Sequence, residues 1–454
     1  LKIQCLNSVW CKADIEATKI IAPHLEYEYK LWKKGPFGMS SKATKSYFIN
    51  RTTGVFLAGL LPRVMQLGKF TLVSDKHKNV FSGFAEPVKN PNFELYNYQY
   101  DLMLKIFSEG RGVISALTSA GKTIIAASAI TTVSTYYYKT LFLCHTKELL
   151  NQTYDEFTKF GIRCSKVGDG FKLNIADVEN SDVVISTIQS LVKSNPEDYK
   201  YRFSLVIVDE THHVNDIKSR YGKVLTQLEC WNRIGLTATV PKEKAKLFAL
   251  EGLIGPVIGE YTLKEGVENK NAVKPRITLL PVERKSSTAD LKKYMDIYKE
   301  AISGNEDRNT SIIEACRERN KAGKTVLVMI REIDHGNNLL NIAKETKLGR
   351  CIFIQGKNKS DIKKSVKDAF QNKSIMTVIV TDIWSEGINI PSLNCVVNAA
   401  AGKSERATLQ KVGRGLRNSE GKTELEIIDF LDPYKYLAEH AMARFNIYAN
   451  EGWL

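Results

Sequence analysis

Thr118-Ser119-Ala120-Gly121-Lys122-Thr123 directly follows the apolar run Val113–Leu117. A loop that leaves a strand and opens a helix presents successive backbone N–H groups to phosphate oxygens. Ser119, Ala120 and Gly121 supply that backbone here. Lys122 is placed to neutralise the β- and γ-phosphates of ATP, and the Thr123 hydroxyl to ligate Mg²⁺. Ala116 stands where the usual pattern has glycine, and it is small enough to serve. A second apolar run, Leu205–Val208, ends in Asp209-Glu210. Asp209 would hold Mg²⁺ through water, and Glu210 would orient and deprotonate an attacking water. Alone such a pair is weak evidence, since acidic residues also cap helices. The phosphate loop upstream makes it specific. Near the C-terminus, Gln410-Lys411-Val412-Gly413-Arg414-Gly415-Leu416-Arg417 carries two arginines. A planar guanidinium delivered from another domain stabilises the charge that develops on a transferred phosphoryl group. Arg414 and Arg417 are the candidates.

Residues at these spacings need two sheets to hold them. From 93 to 262, apolar runs at 112–117, 140–145, 183–187, 205–209 and 233–237 alternate with helical stretches. A second series lies at 325–330, 351–354, 377–381, 395–399 and 425–429. Runs apolar on both faces suit central strands of a covered parallel sheet. Residues 1–92 show short β-like runs at 46–49, 55–57 and 70–73, and short helices at 18–25 and 62–67, broken by glycines. The chain therefore reads as α/β, with a small basic α+β N-terminal domain (1–92) and two successive α/β domains (93–262 and 263–454). The polar stretch Glu268–Lys274 is the expected linker.

These motifs, in this order, resemble those of superfamily 2 helicases and translocases over residues 95–430. The resemblance implies that the two α/β domains are tandem RecA-like parallel-sheet domains. It implies that Gln99, in Leu95–Gln99, reads adenine. Asp209-Glu210-Thr211-His212 resembles the family's Asp-Glu-x-His box, and Leu236–Thr239 its Ser/Thr-Ala-Thr motif. His212, Thr237, Thr239 and Gln410 then couple hydrolysis to strand movement. Thr381-Asp382 through Glu386-Gly387-Ile388-Asn389 resembles the motif that touches both ATP, through Gly387, and strand, through Thr381. The family's usual aspartate is replaced by Asn389. Thr146 lies in a segment with His145 in place of the family's proline, and Thr187 and Gln189 in another. Both resemble segments that contact strand phosphates without reading bases; ordinary helix caps are a serious competing reading for each. His212 and His213 are adjacent and point different ways, with no further ligands in view, so a metal site is not supported. Within the superfamily, the chain looks like the compact phage branch-migration helicases.

The 454 residues carry a net charge of +15. Residues 1–92 hold 14 basic and 6 acidic residues, 93–262 hold 19 of each, and 263–454 hold 32 and 25. A neutral middle between basic ends fits a polyanion held by the flanks. Lys33 and Lys34, in an N-terminal cluster with Trp32, are candidate DNA contacts. Eight scattered cysteines with no Cys-x-x-Cys pair read as reduced, mostly buried thiols. No apolar stretch reaches the length of a membrane span and no signal-peptide pattern is present, so a cytoplasmic location is expected, in the host cytoplasm if a phage encodes the chain. The expected partner is DNA, branched or forked, with no membrane. Three alternatives remain: an RNA helicase of the same fold, a passive nucleic-acid-binding scaffold with an inactive ATP site, and a restriction-type translocase subunit, for which no nuclease constellation is evident.

Overall fold

A computed structural model describes the chain except residues 36–37, 75–78, 118, 284–290, 292, 357, 359, 382–391, 404–415 and 417–421; the side chains of 32–35, 38–40, 74, 360–361 and 363–364 are also left undescribed. The described residues form two compact units, Leu1–Leu117 with Gly121–Thr262, and Leu263–Leu454 with Ser119 and Ala120.

The first unit begins with β1 (Lys2–Cys5), β2 (Trp10–Ala13), β3 (Glu26–Gly35), β4 (Gly38–Tyr47), β5 (Val55–Leu57) and β6 (Thr71–Ser74). Four of these form a small sheet in the order β5-β2-β1-β6. The helix Ile15–Ile21, N-capped by the Asp14 carboxylate, runs into a 3-10 turn at Ala22–Leu25. β3 and β4 stand apart as a two-stranded antiparallel ribbon, in register from Glu26↔Tyr47 to Gly35↔Gly38. The expected strand at 46–49 is only the end of β4. Alternation could not reveal the ribbon, because the described residues on it are mostly exposed or half-buried on both faces.

This small sheet shares one apolar core with the sheet that follows. Gly59 is pressed so closely on the helix Lys244–Leu253 that an added Cβ would meet the Glu251 carbonyl oxygen at 2.1 Å. Arg63 donates Nε and Nη2 to the Glu251 carboxylate at 2.6 and 2.7 Å. Arg111, fully withdrawn from water, donates to the carbonyls of Ser8, Gly252, Leu253 and Ile254. Its burial holds its pKa well below the usual arginine value.

The second sheet of this unit is wholly parallel: β7 (Arg111–Ala116), β8 (Thr140–Cys144), β9 (Cys164–Val167), β10 (Val183–Thr187), β11 (Leu205–Asp209), β12 (Asn232–Thr237) and β13 (Val257–Tyr261), in the order β13-β7-β12-β11-β8-β10-β9. Every residue of β8, β10 and β12 is buried, as continuous apolar runs require of central strands. The edge strands β9 and β13 were not expected from the sequence. Their mixed residues, Cys-Ser-Lys-Val and Val-Ile-Gly-Glu-Tyr, lack such a run.

The second unit repeats the plan. β14 (Lys274–Pro281), β15 (Val326–Ile330), β16 (Cys351–Ile354), β17 (Thr377–Thr381), β18 (Cys395–Asn398) and β19 (Glu424–Leu431) form a parallel sheet in the order β14-β19-β18-β15-β17-β16. β14 begins where the linker was expected to end. Two buried ion pairs lock this sheet to its helices. Arg308 donates Nε to Asp432 (2.8 Å), and Arg444 donates Nε and Nη2 to Asp429 (2.7 and 3.0 Å), which also accepts from Tyr448 Oη (2.7 Å). The fold is α/β, with tandem RecA-like parallel sheets and a small α+β N-terminal region.

Candidate nucleotide site

In parallel α/β sheets, ligands gather at the carboxyl ends of the strands. Here the expected residues of the first unit follow one another along that edge. β7 ends at the phosphate loop, β12 at Thr237, β11 at Asp209, β8 just before Thr146, and β10 at Thr187.

Gly121 turns the loop into the helix Lys122–Ser134 with φ +68°, a left-handed conformation that glycine adopts without steric cost. A Cβ there would meet Gln99 Nε2 at 2.6 Å, so the Gln99 amide lies directly against the loop. Gln99 is buried and fixed by its own helix start, its Oε1 accepting from the Tyr96 N–H at 3.0 Å. Beside it the Tyr98 ring stacks on Tyr261 at 3.7 Å. Lys122 Nζ is buried and donates to the carbonyls of Ala116 and Leu117 at 3.2 and 3.4 Å. Ser119 Oγ is buried with no hydrogen-bond partner among the described residues. Ala120 is buried and Thr123 half-buried at the helix start. Thr118 lies outside the described residues.

Withdrawal from water, reinforced by the adjacent Glu210 charge, pushes the Asp209 carboxyl up to about 7 against the pull of Lys122. Glu210 takes φ +47°, a left-handed backbone that a non-glycine residue holds only under constraint. The constraint is Thr211, whose buried Oγ1 sits at 2.8 Å from the Val208 carbonyl and 3.1 Å from that of Leu236. His212 is buried, with Nδ1 3.2 Å from Glu210 Oε2 and 3.3 Å from Thr237 Oγ1. Thr237 donates Oγ1 to the Thr239 carbonyl (2.9 Å) and accepts from the Thr239 N–H (3.2 Å). Glu210, His212, Thr237 and Thr239 thus form one chain of contacts.

Thr146 caps the helix Lys147–Lys159, its Oγ1 accepting from the Leu149 N–H at 3.2 Å. Thr187 donates Oγ1 to Ser190 Oγ at 2.9 Å, and Gln189 donates Nε2 to the His145 carbonyl at 2.8 Å. In the second unit, Thr381 ends β17 with a buried Oγ1 that has no hydrogen-bond partner among the described residues. Lys33 and Lys34 lie on β3 with side chains outside the described set. Gly387, Asn389, Gln410, Arg414 and Arg417 lie outside the described residues. The sequence reading assigned no part to Tyr98, Tyr261 or His213. Their partners are distant in sequence, so only the fold reveals them.

The donor set fits MgATP. Asp209 and Glu210 are adjacent carboxylates, the first held reluctant to ionise by burial, and an orphaned serine hydroxyl sits in the loop. Among the described residues, no cluster of three or more His, Cys, Asp or Glu suggests a separate metal centre. Six of the eight cysteines are buried. No described helix is long and apolar enough to cross a membrane.

Residues 92–242 match the model of the type III restriction enzyme res subunit, and residues 307–419 match the helicase conserved C-terminal domain. The ATP-dependent DNA helicase uvsW of Enterobacteria phage T4 is 24% identical over 387 residues, 80% of this chain and 76% of that protein. A protein of Escherichia phage T5 described as "Probable helicase D10" is 24% identical over 345 residues, 75% of this chain and 72% of that one. Among solved structures, the DNA-bound ATP-dependent Type ISP restriction-modification enzyme LlaBIII shares the fold with a TM-score of 0.60 at 17% identity, covering 80% of this chain and 30% of that one. The family implies ATP use. With a res-type module on the first RecA-like sheet and a helicase C-terminal module on the second, the chain belongs to the superfamily 2 helicases and translocases.

Proposed function

We propose that the chain is an ATP- and Mg²⁺-dependent DNA helicase that unwinds or branch-migrates forked and junction DNA in replication, recombination or repair. The observation that carries this reading is the shared sheet edge, where the nucleotide residues and the strand-contact candidates stand on neighbouring strands. The phage relatives support a DNA substrate. Lys122 turns from the loop carbonyls to the β- and γ-phosphates. Thr123 and Asp209 would hold Mg²⁺, which would supply charge neutralisation at the transferred phosphoryl group. Glu210 orients the attacking water and takes its proton as the bond to the leaving ADP oxygen breaks. Arg414 and Arg417 supply the guanidinium charge that the transition state needs. His212 passes the state of Glu210 to Thr237 and Thr239. Thr146, Thr187, Gln189 and Thr381 hold strand phosphates.

The test is hydrolysis and ATP binding in two variants. Lys122→Ala should lose turnover and weaken ATP binding. Glu210→Gln should bind ATP normally and turn over at least about 10²-fold more slowly, the usual worth of a general base. Wild-type turnover in both would refute the site.

A further inference from the structure

His145, in place of the family's proline, and His213, just past the acidic box, meet face to face. Their ring centroids are 3.9 Å apart and their planes 6° from parallel. His213 also contacts His212, with centroids 4.3 Å apart and planes tilted by 43°. Beyond His145 lies the buried Tyr221 ring, at 6.4 Å and 13°. The contact follows from the sheet. β8 and β11 are neighbours in register at Leu143↔Val208, so the residues leaving their carboxyl ends converge.

We infer that His213 is a positioning residue that transmits the nucleotide state of Glu210, through its stack on His145, to the strand-contact segments. This rests on the proposed reading of the site as a strand-coupled ATPase. Three observations carry it. First, the 3-10 turn Thr211–His213 begins at the left-handed Glu210 and is pinned at Thr211 to the carbonyls of Val208 and Leu236. A change at Glu210 therefore reaches His213 through the His212 ring, whose Nδ1 lies 3.2 Å from the Glu210 carboxylate and whose centroid lies 4.3 Å from that of His213. Second, a face-to-face stack at this spacing is in van der Waals contact, so His145 must follow His213 or lose the contact. Third, His145 joins both candidate strand segments. Its carbonyl accepts from Gln189 Nε2 at 2.8 Å, and its chain neighbour Thr146 caps the next helix. The path Glu210–turn–His213–His145 is thus one continuous set of contacts within a single compact unit. Contiguous packing of this kind is what carries coupling between sites.

The test compares His213→Ala, His213→Phe and His213→Leu in the full chain. ATP hydrolysis is measured with and without single-stranded DNA, and DNA affinity with and without a non-hydrolysable ATP analogue. His213→Ala and His213→Leu should keep basal turnover and lose about fivefold or more of the stimulation ratio, the lower bound of ordinary coupling. They should also lose the nucleotide dependence of DNA affinity and, by reciprocity, the DNA dependence of ATP affinity. His213→Phe, which restores a flat ring, should recover most of both. A wild-type stimulation ratio in the alanine variant, or equal behaviour of leucine and phenylalanine, overturns the inference. If the alanine variant fails to fold, the phenylalanine–leucine comparison still decides. Absence of stimulation in the wild-type protein would instead refute the proposed function, and the inference with it.

Discussion

Glu210, directly after β11, takes a strained backbone. Its left-handed φ of +47° is paid for by Thr211, which is fully buried and bonded to two strand carbonyls. A different buried side chain sets a pH dependence. His335 is 0% exposed, and its Nε2 lies 2.9 Å from Asn309 Oδ1, so that nitrogen carries the proton and donates. Burial, and to a lesser degree the Arg308 charge, lower its pKa from 6.5 to about 3. Above 6.5 the imidazole is neutral in both folded and unfolded chains. Below that, the unfolded chain takes up a proton that the folded one refuses, so stability falls as pH drops from 6.5 towards 3. His335→Gln keeps an amide for Asn309 and cannot titrate. Its unfolding free energy, measured in urea from pH 7 to pH 4.5, should fall less steeply than the wild-type value, the difference growing to about 1.4 kcal/mol per pH unit at the acid end. Identical slopes would contradict the assignment. At this scale the phosphate loop and acidic pair were legible in the sequence, because each is a local run. The His145–His213 stack was not, since it depends on which strands are neighbours.

At the scale of elements, two predictions stand. The buried pair Arg308–Asp432 has both side chains 0% exposed, so removing one partner strands a charge in the interior. Asp432→Ala should cost about 3–5 kcal/mol, read as a drop in thermal or urea midpoint, whereas a surface-like loss below about 1 kcal/mol would argue against a dry pair. Tyr29 and Leu31 are exposed on the β3–β4 ribbon. A two-stranded ribbon is the right width for a DNA major groove. Replacing residues 30–43 by Asn-Gly keeps the Tyr29↔Thr44 pair and a tight turn. Junction-stimulated hydrolysis should then fall more than single-strand-stimulated hydrolysis; equal loss would remove the ribbon from junction recognition. The ribbon escaped the sequence reading because strands without a buried face have no apolar alternation. The central strands were legible for the opposite reason: Val-Leu-Val-Met-Ile of β15 is buried at every position. β14, with Pro275 and half-buried side chains, fell between these cases.

For the whole molecule, charge and architecture agree. The basic surplus sits in residues 1–92 and 263–454, on either side of a neutral stretch that holds the phosphate loop and acidic pair. The N-terminal region shares its core with the first RecA-like sheet and is tied to it by Arg63–Glu251. Simple removal of residues 1–92 would therefore expose that core as well as delete basic residues, which is why trimming the ribbon is the cleaner experiment. A net charge of +15 favours binding to any polyanion, so affinity alone discriminates little. Turnover discriminates better. The decisive measurement is ATP hydrolysis at matched salt with no nucleic acid, single-stranded DNA, a four-way DNA junction and structured RNA. Strongest stimulation by the junction is the predicted result. Strongest stimulation by RNA, or no stimulation by any of them, would contradict the account.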